Sequence, residues 1–185
     1  MTTRCERNEL LGWTYVHGKG LSVSWAADNE QTWKLIFEST LRAEGDATLN
    51  SPGSRGRPGG GYGGFGWRFP ACDDVEVFTA EARGEDNVHG TVAPWVAWSA
   101  DFYSGPGQSG PATIVIAAAE AAAAGEPWFV RVRDYPGLGS ALAWDRPVTL
   151  QSGDVLHRRF DIAIADGRLS EEQASALATQ LITPL

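Results

Sequence analysis

The segment Arg55 to Pro70, RGRPGGGYGGFGWRFP, carries the most suggestive chemistry in the chain: guanidinium groups at Arg57 and Arg68, a phenol at Tyr62 and an indole at Trp67, set among glycines. A guanidinium fork suits carboxylates and clustered hydroxyls, and an indole offers a flat apolar face. Glycine leaves room for a backbone or a ligand to come close. Phe65, Trp67 and Phe69 alternate, which places them on one face of a strand, with Gly64, Gly66 and Arg68 on the other. Two readings stand side by side: a strand that meets another sheet closely, or a small-residue face that leaves space for a ligand beside Arg68.

Other reactive groups form weaker patterns. Gly59 to Gly64, GGGYGG, satisfies a G-x-G-x-x-G spacing, but the FGWRFP that follows reads as strand, whereas a phosphate site needs a helix there. His17, His89 and His157 are far apart and start no H-x-D or H-x-E pair, so each reads as a solvated or hydrogen-bonded histidine. Cys5 and Cys72 form no C-x-x-C or Cys/His cluster, so no zinc site, other metal centre or disulfide framework is expected. No G-x-S-x-G elbow occurs. Asp28, Glu38, Asp101 and Asp145 are available carboxylates with no spacing that selects an acid/base pair. Of the eight tryptophans, most are expected in the core. Trp67, Trp95, Trp98 and Trp128 are the candidates for a sugar platform.

These groups need a scaffold, and the pattern predicts an all-β one. Strands are expected at 8–16 and 20–27 around a turn at His17-Gly18-Lys19-Gly20, at 31–42, 47–50, 75–80, 112–117, 128–133, 148–150 and 154–165, in addition to the glycine-rich strand. Thr91 to Asp101 reads as an edge or bulged strand because Pro94 cannot donate to a ladder. Residues 81–90, 103–111 and 134–147 read as loops, and AAEAAAAG as one or two helical turns. Ser170 and Gln173 form a capping box, Leu169 and Ala174 a staple, and Leu177, Ala178 and Leu181 a buried stripe, which predicts a helix at the C-terminal end. The fold class expected is an antiparallel β-sandwich with one C-terminal α-helix, in a single domain spanning 1–185 and large enough to bury roughly 70% of its unfolded surface.

A net charge of -8 with scattered arginines argues against nucleic acid as a partner. The N-terminus shows no signal-peptide pattern and no apolar stretch approaches a membrane span, so a cytoplasmic location away from the membrane is expected.

Taken together, WKLIFESTLRA, LNSPGSRGRPGGGYGGFGWRFP, PWVAW, ATIVI, WFVRV and the strand ending IADG resemble the bacterial PmoA family. The most specific part is carried by Ser51, Pro52, Gly56, Arg57, Pro58, Gly61, Tyr62, Gly63, Gly64, Trp67 and Arg68. The resemblance implies a supersandwich of the galactose-mutarotase type and a link to sugar catabolism. It also implies a shortened member, lacking the His- and Trp-rich part that precedes this region in the family, and a homodimer as the way such a member would complete its fold. Methane oxidation, suggested by the family's name, does not fit a chain without membrane-spanning segments. The leading expectation is a small-molecule ligand, a carbohydrate or sugar acid, in a concave site lined by Arg57, Tyr62, Trp67 and Arg68 with help from Trp95 and Arg131, and no cofactor. The alternatives are a sugar epimerase, mutarotase or lyase using that pocket, or a subunit-interaction module without catalysis.

Overall fold

The computed structural model describes residues 18–25, 32–61 and 63–182. The readings at 8–16, Cys5, His17 and Tyr62 lie outside them. Eleven strands and three helices are found among the described residues. The largest sheet has six strands in the order β1 (Gly18–Trp25), β2 (Thr32–Arg42), β11 (Val155–Asp166), β7 (Gln108–Ala118), β6 (Trp95–Gly105) and β5 (Cys72–Phe78). All its pairings are antiparallel. A three-stranded sheet, β4 (Gly66–Arg68), β9 (Gly137–Ser140) and β8 (Trp128–Arg131), lies over one face, and β3 (Ala47–Leu49) pairs with β10 (Val148–Leu150). The helices are α1 (Glu85–Val88), α2 (Ala121–Ala124) and α3 (Glu171–Ile182). This is the expected all-β, sandwich-like architecture with its C-terminal helix.

The two faces of the large sheet are packed differently. Strand alternation sends Val96, Trp98, Ile114, Ile116, Phe160 and Ile162 toward the small sheet, where they meet Phe65, Phe69, Trp128, Val130 and Leu138. Phe65 stacks on Phe160 with centroids 4.7 Å apart, and Phe69 tilts against Trp98 at 4.9 Å. Large aromatic side chains fill the gap between layers, and full burial of each contributes roughly 1.5–3 kcal/mol. The opposite face carries smaller residues, Ala97, Ala117 and Ala163, with Phe78, Trp95 and Val115 among them, and these receive Ala174, Ala178 and Leu181 of α3. Alanines on both sides let the helix sit close to the sheet. The capping box closes α3 as expected: the Ser170 N–H donates to Gln173 Oε1 (2.8 Å) and the Gln173 N–H to Ser170 Oγ (3.2 Å).

Several local expectations are corrected. Residues 91–101 do not form an edge strand; β6 is interior, flanked by β5 and β7, and it starts at Trp95, so Pro94 precedes the ladder and removes nothing from it. Residues 103–111 are not loop: β6 and β7 run out to Gly105 and Gln108 around a tight Pro106-Gly107 turn with Gly107 at φ +70°. Gly18 to Gly20 belongs to β1, where Gly18 and Lys19 pair with Ser39 and Glu38 before a register shift. The strand expected at 75–80 is β5, which begins earlier, at Cys72, and carries a bulge between Asp73 and Glu76. The segment 134–147 contributes β9, whose Gly139 passes so close to β4 that a Cβ would lie 2.4 Å from the Phe65 carbonyl oxygen. The segment 81–90 is not all loop: it contains α1, followed by the half-buried His89.

Candidate functional site

The glycine-rich segment is two structures in sequence. Its second half behaves as the alternation predicts: Phe65 and Phe69 are buried, Trp67 is half-buried against the same core, and β4 pairs with β9. Its first half is a compact loop. The Ser51 hydroxyl donates to the Ala143 carbonyl (2.5 Å) and accepts from the Ser54 N–H (3.0 Å), and the Arg57 N–H returns to the Pro52 carbonyl (2.9 Å). Trp144 is the peg on which this loop closes. A Cβ on Gly61 would lie 2.4 Å from the Trp144 Cα and carbonyl oxygen, and one on Gly53 2.1 Å from that oxygen. Backbone approach this close admits only hydrogen as a side chain.

The closed loop projects Gly59 toward α1 and the edge strand β8. Val88 of α1 is fully buried in the core, which fixes the next residue, His89, in place. The Gly90 N–H donates to the Trp128 carbonyl and the Trp128 N–H to the Thr91 carbonyl, both 2.8 Å, so the chain after the helix is tied to β8. His89 then receives the Val130 N–H at Nδ1 (3.1 Å) and donates from Nε2 to the Gly59 carbonyl (2.9 Å). A backbone donor at Nδ1 makes that nitrogen an acceptor, so the ring is neutral with its proton on Nε2. Burial pushes the imidazole below its ordinary value; the Gly59 carbonyl opposes this, and the Arg131 charge adds to it. Trp144 and Phe129 meet the ring edge-on, with centroids 4.9 and 5.3 Å away.

Arg131 follows Val130 on β8 and points to the opposite face, away from the core. Its Nη1 donates to the Val130 carbonyl (2.7 Å) and its Nη2 to the Gly59 carbonyl (3.0 Å). Nη1 also lies 3.2 and 3.1 Å from the two nitrogens of His89, a near-equal spacing that sets the guanidinium across the ring. The Phe129 ring lies 4.4 Å from its Cζ. No carboxylate pairs with Arg131 among the described residues. Arg133 contrasts with it: its backbone N–H and Nε reach Glu85 Oε2 at 3.0 and 3.3 Å, and Nη2 meets Asp86.

These groups line a recess of about 510 Å³ formed by Pro58, Gly59, Glu85, Asp86, His89, Arg131, Arg133 and Asp134. That volume suits a ligand the size of a monosaccharide or somewhat larger. With both ring nitrogens engaged, His89 holds the site in shape and is poorly placed to carry a proton. Asp134 is the lining carboxylate that has no ion pair among the described residues.

The recess lies on the outer face of the small sheet, not between the layers, and this separates the expected site residues. Arg131 lines it, and the glycine-rich segment borders it through Pro58 and Gly59. Arg57 is exposed on the same loop but does not line the recess. Arg68 is exposed over the Tyr135 ring, 4.4 Å from its centroid. Trp67 packs on Phe69, centroids 5.2 Å apart. Trp95 is 5% exposed beneath α3, on the far face of the large sheet. Trp98 and Trp128 are core residues. Glu85, Asp86, Arg133 and Asp134 line the recess without having stood out in the sequence, and His89, expected as a solvated or hydrogen-bonded histidine, is hydrogen-bonded there. His157, on the exposed surface, contacts Glu120. No three His, Cys, Asp or Glu side chains come together as a metal site among the described residues. No helix among them is long and apolar enough to cross a membrane.

Fold and recess together define an antiparallel β-sandwich-like protein with a charged surface recess organised by a glycine-rich loop. The sequence model of a family of unknown function, DUF6807, matches residues 16–179, and the chain belongs to that family. No curated protein and no solved structure matches the chain.

Proposed function

We propose that this protein binds a carbohydrate or sugar acid in the recess bounded by Gly59, His89 and Arg131. One observation carries the reading: a guanidinium locked in place by two carbonyls and two rings opens onto a polar recess of about 510 Å³. Hydroxylated ligands are recognised by such preset donors together with carboxylate acceptors, and Asp134 supplies an acceptor on the same recess. The resemblance to the PmoA family, with its link to sugar catabolism, supports the same ligand class.

Thermal-shift and calorimetric titration of the chain against a panel of neutral sugars and sugar acids tests the proposal. Binding at about a hundredfold excess over Kd adds about 2.7 kcal/mol, hence a Tm rise of roughly 5–10 °C for a chain of this size. The rise is expected to vanish in Asp134→Asn/Arg131→Gln. A panel without any saturable response overturns the proposal.

A further inference from the structure

Resting on that carbohydrate reading, we infer that the ligand is a sugar acid whose carboxylate docks on Arg131 while its hydroxyls face Asp134. Arg133 meets two carboxylates, Glu85 and Asp86, and the three together carry one net negative charge, so Arg133 offers an anion no net attraction. His89 is neutral, because its Nδ1 receives the Val130 N–H. Arg131 is therefore the guanidinium of the recess that has no carboxylate partner among the described residues. The groups that orient it, the Val130 and Gly59 carbonyls, are neutral acceptors that leave its charge in place.

Geometry points the same way. The Arg131 Nε–H has no acceptor among the described residues, and Nη2 spends one of its two hydrogens on Gly59. A planar fork with donors to spare matches the two oxygens of a carboxylate, a fit that a lysine ammonium cannot reproduce. The fork is already immobilised by Phe129, His89 and the two carbonyls, so binding costs little side-chain entropy. Asp134 is exposed, so solvent screens its repulsion of an anion, while a hydroxyl can donate to it directly. A neutral sugar would leave the guanidinium with hydroxyl partners only and forgo the charge-assisted pair. The aromatic rings at this site are engaged by Arg131 and His89, so stacking gives a neutral sugar little compensation.

Calorimetry with glucuronate, galacturonate and gluconate, each against glucose and galactose, is the test. At least one acid is expected to bind at least about tenfold more tightly than the matching neutral sugar, the ratio that one charge-assisted hydrogen bond supplies. Arg131→Lys should weaken the acid by about tenfold and Arg131→Gln by about a hundredfold, with neutral-sugar binding changed much less. Circular dichroism and Tm establish that each variant is folded. If Arg131→Gln does not fold, the lysine variant and the acid-to-neutral ratio of the unaltered protein decide. Equal binding of acids and neutral sugars, weakened alike by either variant, overturns this inference and leaves the carbohydrate reading standing; binding that neither variant touches removes both. An absence of binding by every sugar and acid removes both.

Discussion

Arg158 and Arg131 are both drawn into the protein, and their surroundings differ. Arg158, on β11, places Nε 2.6 Å from Glu126 Oε1, and the Ser140 hydroxyl donates to the other carboxylate oxygen at 2.5 Å. Glu126 is 8% exposed, and its pair with Arg158 is closed: charge meets charge, and each carboxylate oxygen has a donor. Arg131, on β8, meets carbonyls and rings instead. Burying a charge is costly unless an opposite charge or a hydrogen-bond set offsets it. The first arrangement completes its own chemistry and ties the segment after α2 to β9 and β11. The second is oriented but not neutralised, which is the condition of a group awaiting a partner.

That contrast can be tested at four points. Glu126→Ala should be the most damaging, because it strands the Arg158 charge and the Ser140 hydroxyl; a loss of about 3–5 kcal/mol, or roughly 10 °C in Tm, is expected in calorimetry. Replacing both partners, Glu126→Leu with Arg158→Met, should restore most of the loss, since removing both charges also removes their desolvation cost. Failure of the double variant to recover would show that the pair does more than neutralise itself.

Gly61→Ala comes next. Its Cβ would strike the Trp144 backbone at 2.4 Å, and a cost of roughly 1–3 kcal/mol in urea unfolding is expected. The displaced loop should also carry the Gly59 carbonyl away from His89 and Arg131, so ligand binding should fall with it. An alanine tolerated without loss of either property would disconnect the peg from the recess.

His89 gives a smaller, pH-dependent effect. Its folded-state pKa is depressed, chiefly by burial, so above about pH 6.5 the ring is neutral in both states and its contribution is complete. As pH falls below that value the unfolded chain takes up a proton that the folded site resists, and stability declines until the folded-state pKa is passed. Glu85 and Asp86 oppose the depression and Arg131 reinforces it. The slope of Tm against pH between 7 and 5 should flatten in His89→Gln; an unchanged slope would remove His89 from the account.

The smallest effect is expected at Arg68. It is exposed and stacks on Tyr135, so Arg68→Ala should cost less than about 1 kcal/mol and leave ligand binding unchanged. A loss of binding there would move the site toward β4.

Much of the fold was legible in the chain because it rests on local periodicity. The alternation of Phe65, Trp67 and Phe69 marks a buried face, WFVRVR separates Val130 from Arg131, and Ser170 with Gln173 marks the start of α3. The recess was legible only through Arg131 and the glycine loop. Asp86-Asn87 and the flanking Gly84 and Gly90 read as turn signals, and they hid a helix of four residues whose Val88 is buried. Glu85 and Asp86 in the first turn of that helix were the available clue. Similarly, GLGS has no side-chain pattern by which to recognise β9; its glycines are required by the closeness of β4, which is a property of the partner strand.

What the sequence determined by itself, then, is which residues share a face, where helix α3 begins, and that the class is β. What only the tertiary structure decided is which distant groups meet. His89 reaches Gly59 across 30 positions and Arg131 reaches it across 72. Contacts of that span leave no period or spacing in the chain. They exist because the Trp144 peg, the buried Val88 and the register of β8 each fix one wall of the recess, and only packing brings those walls together.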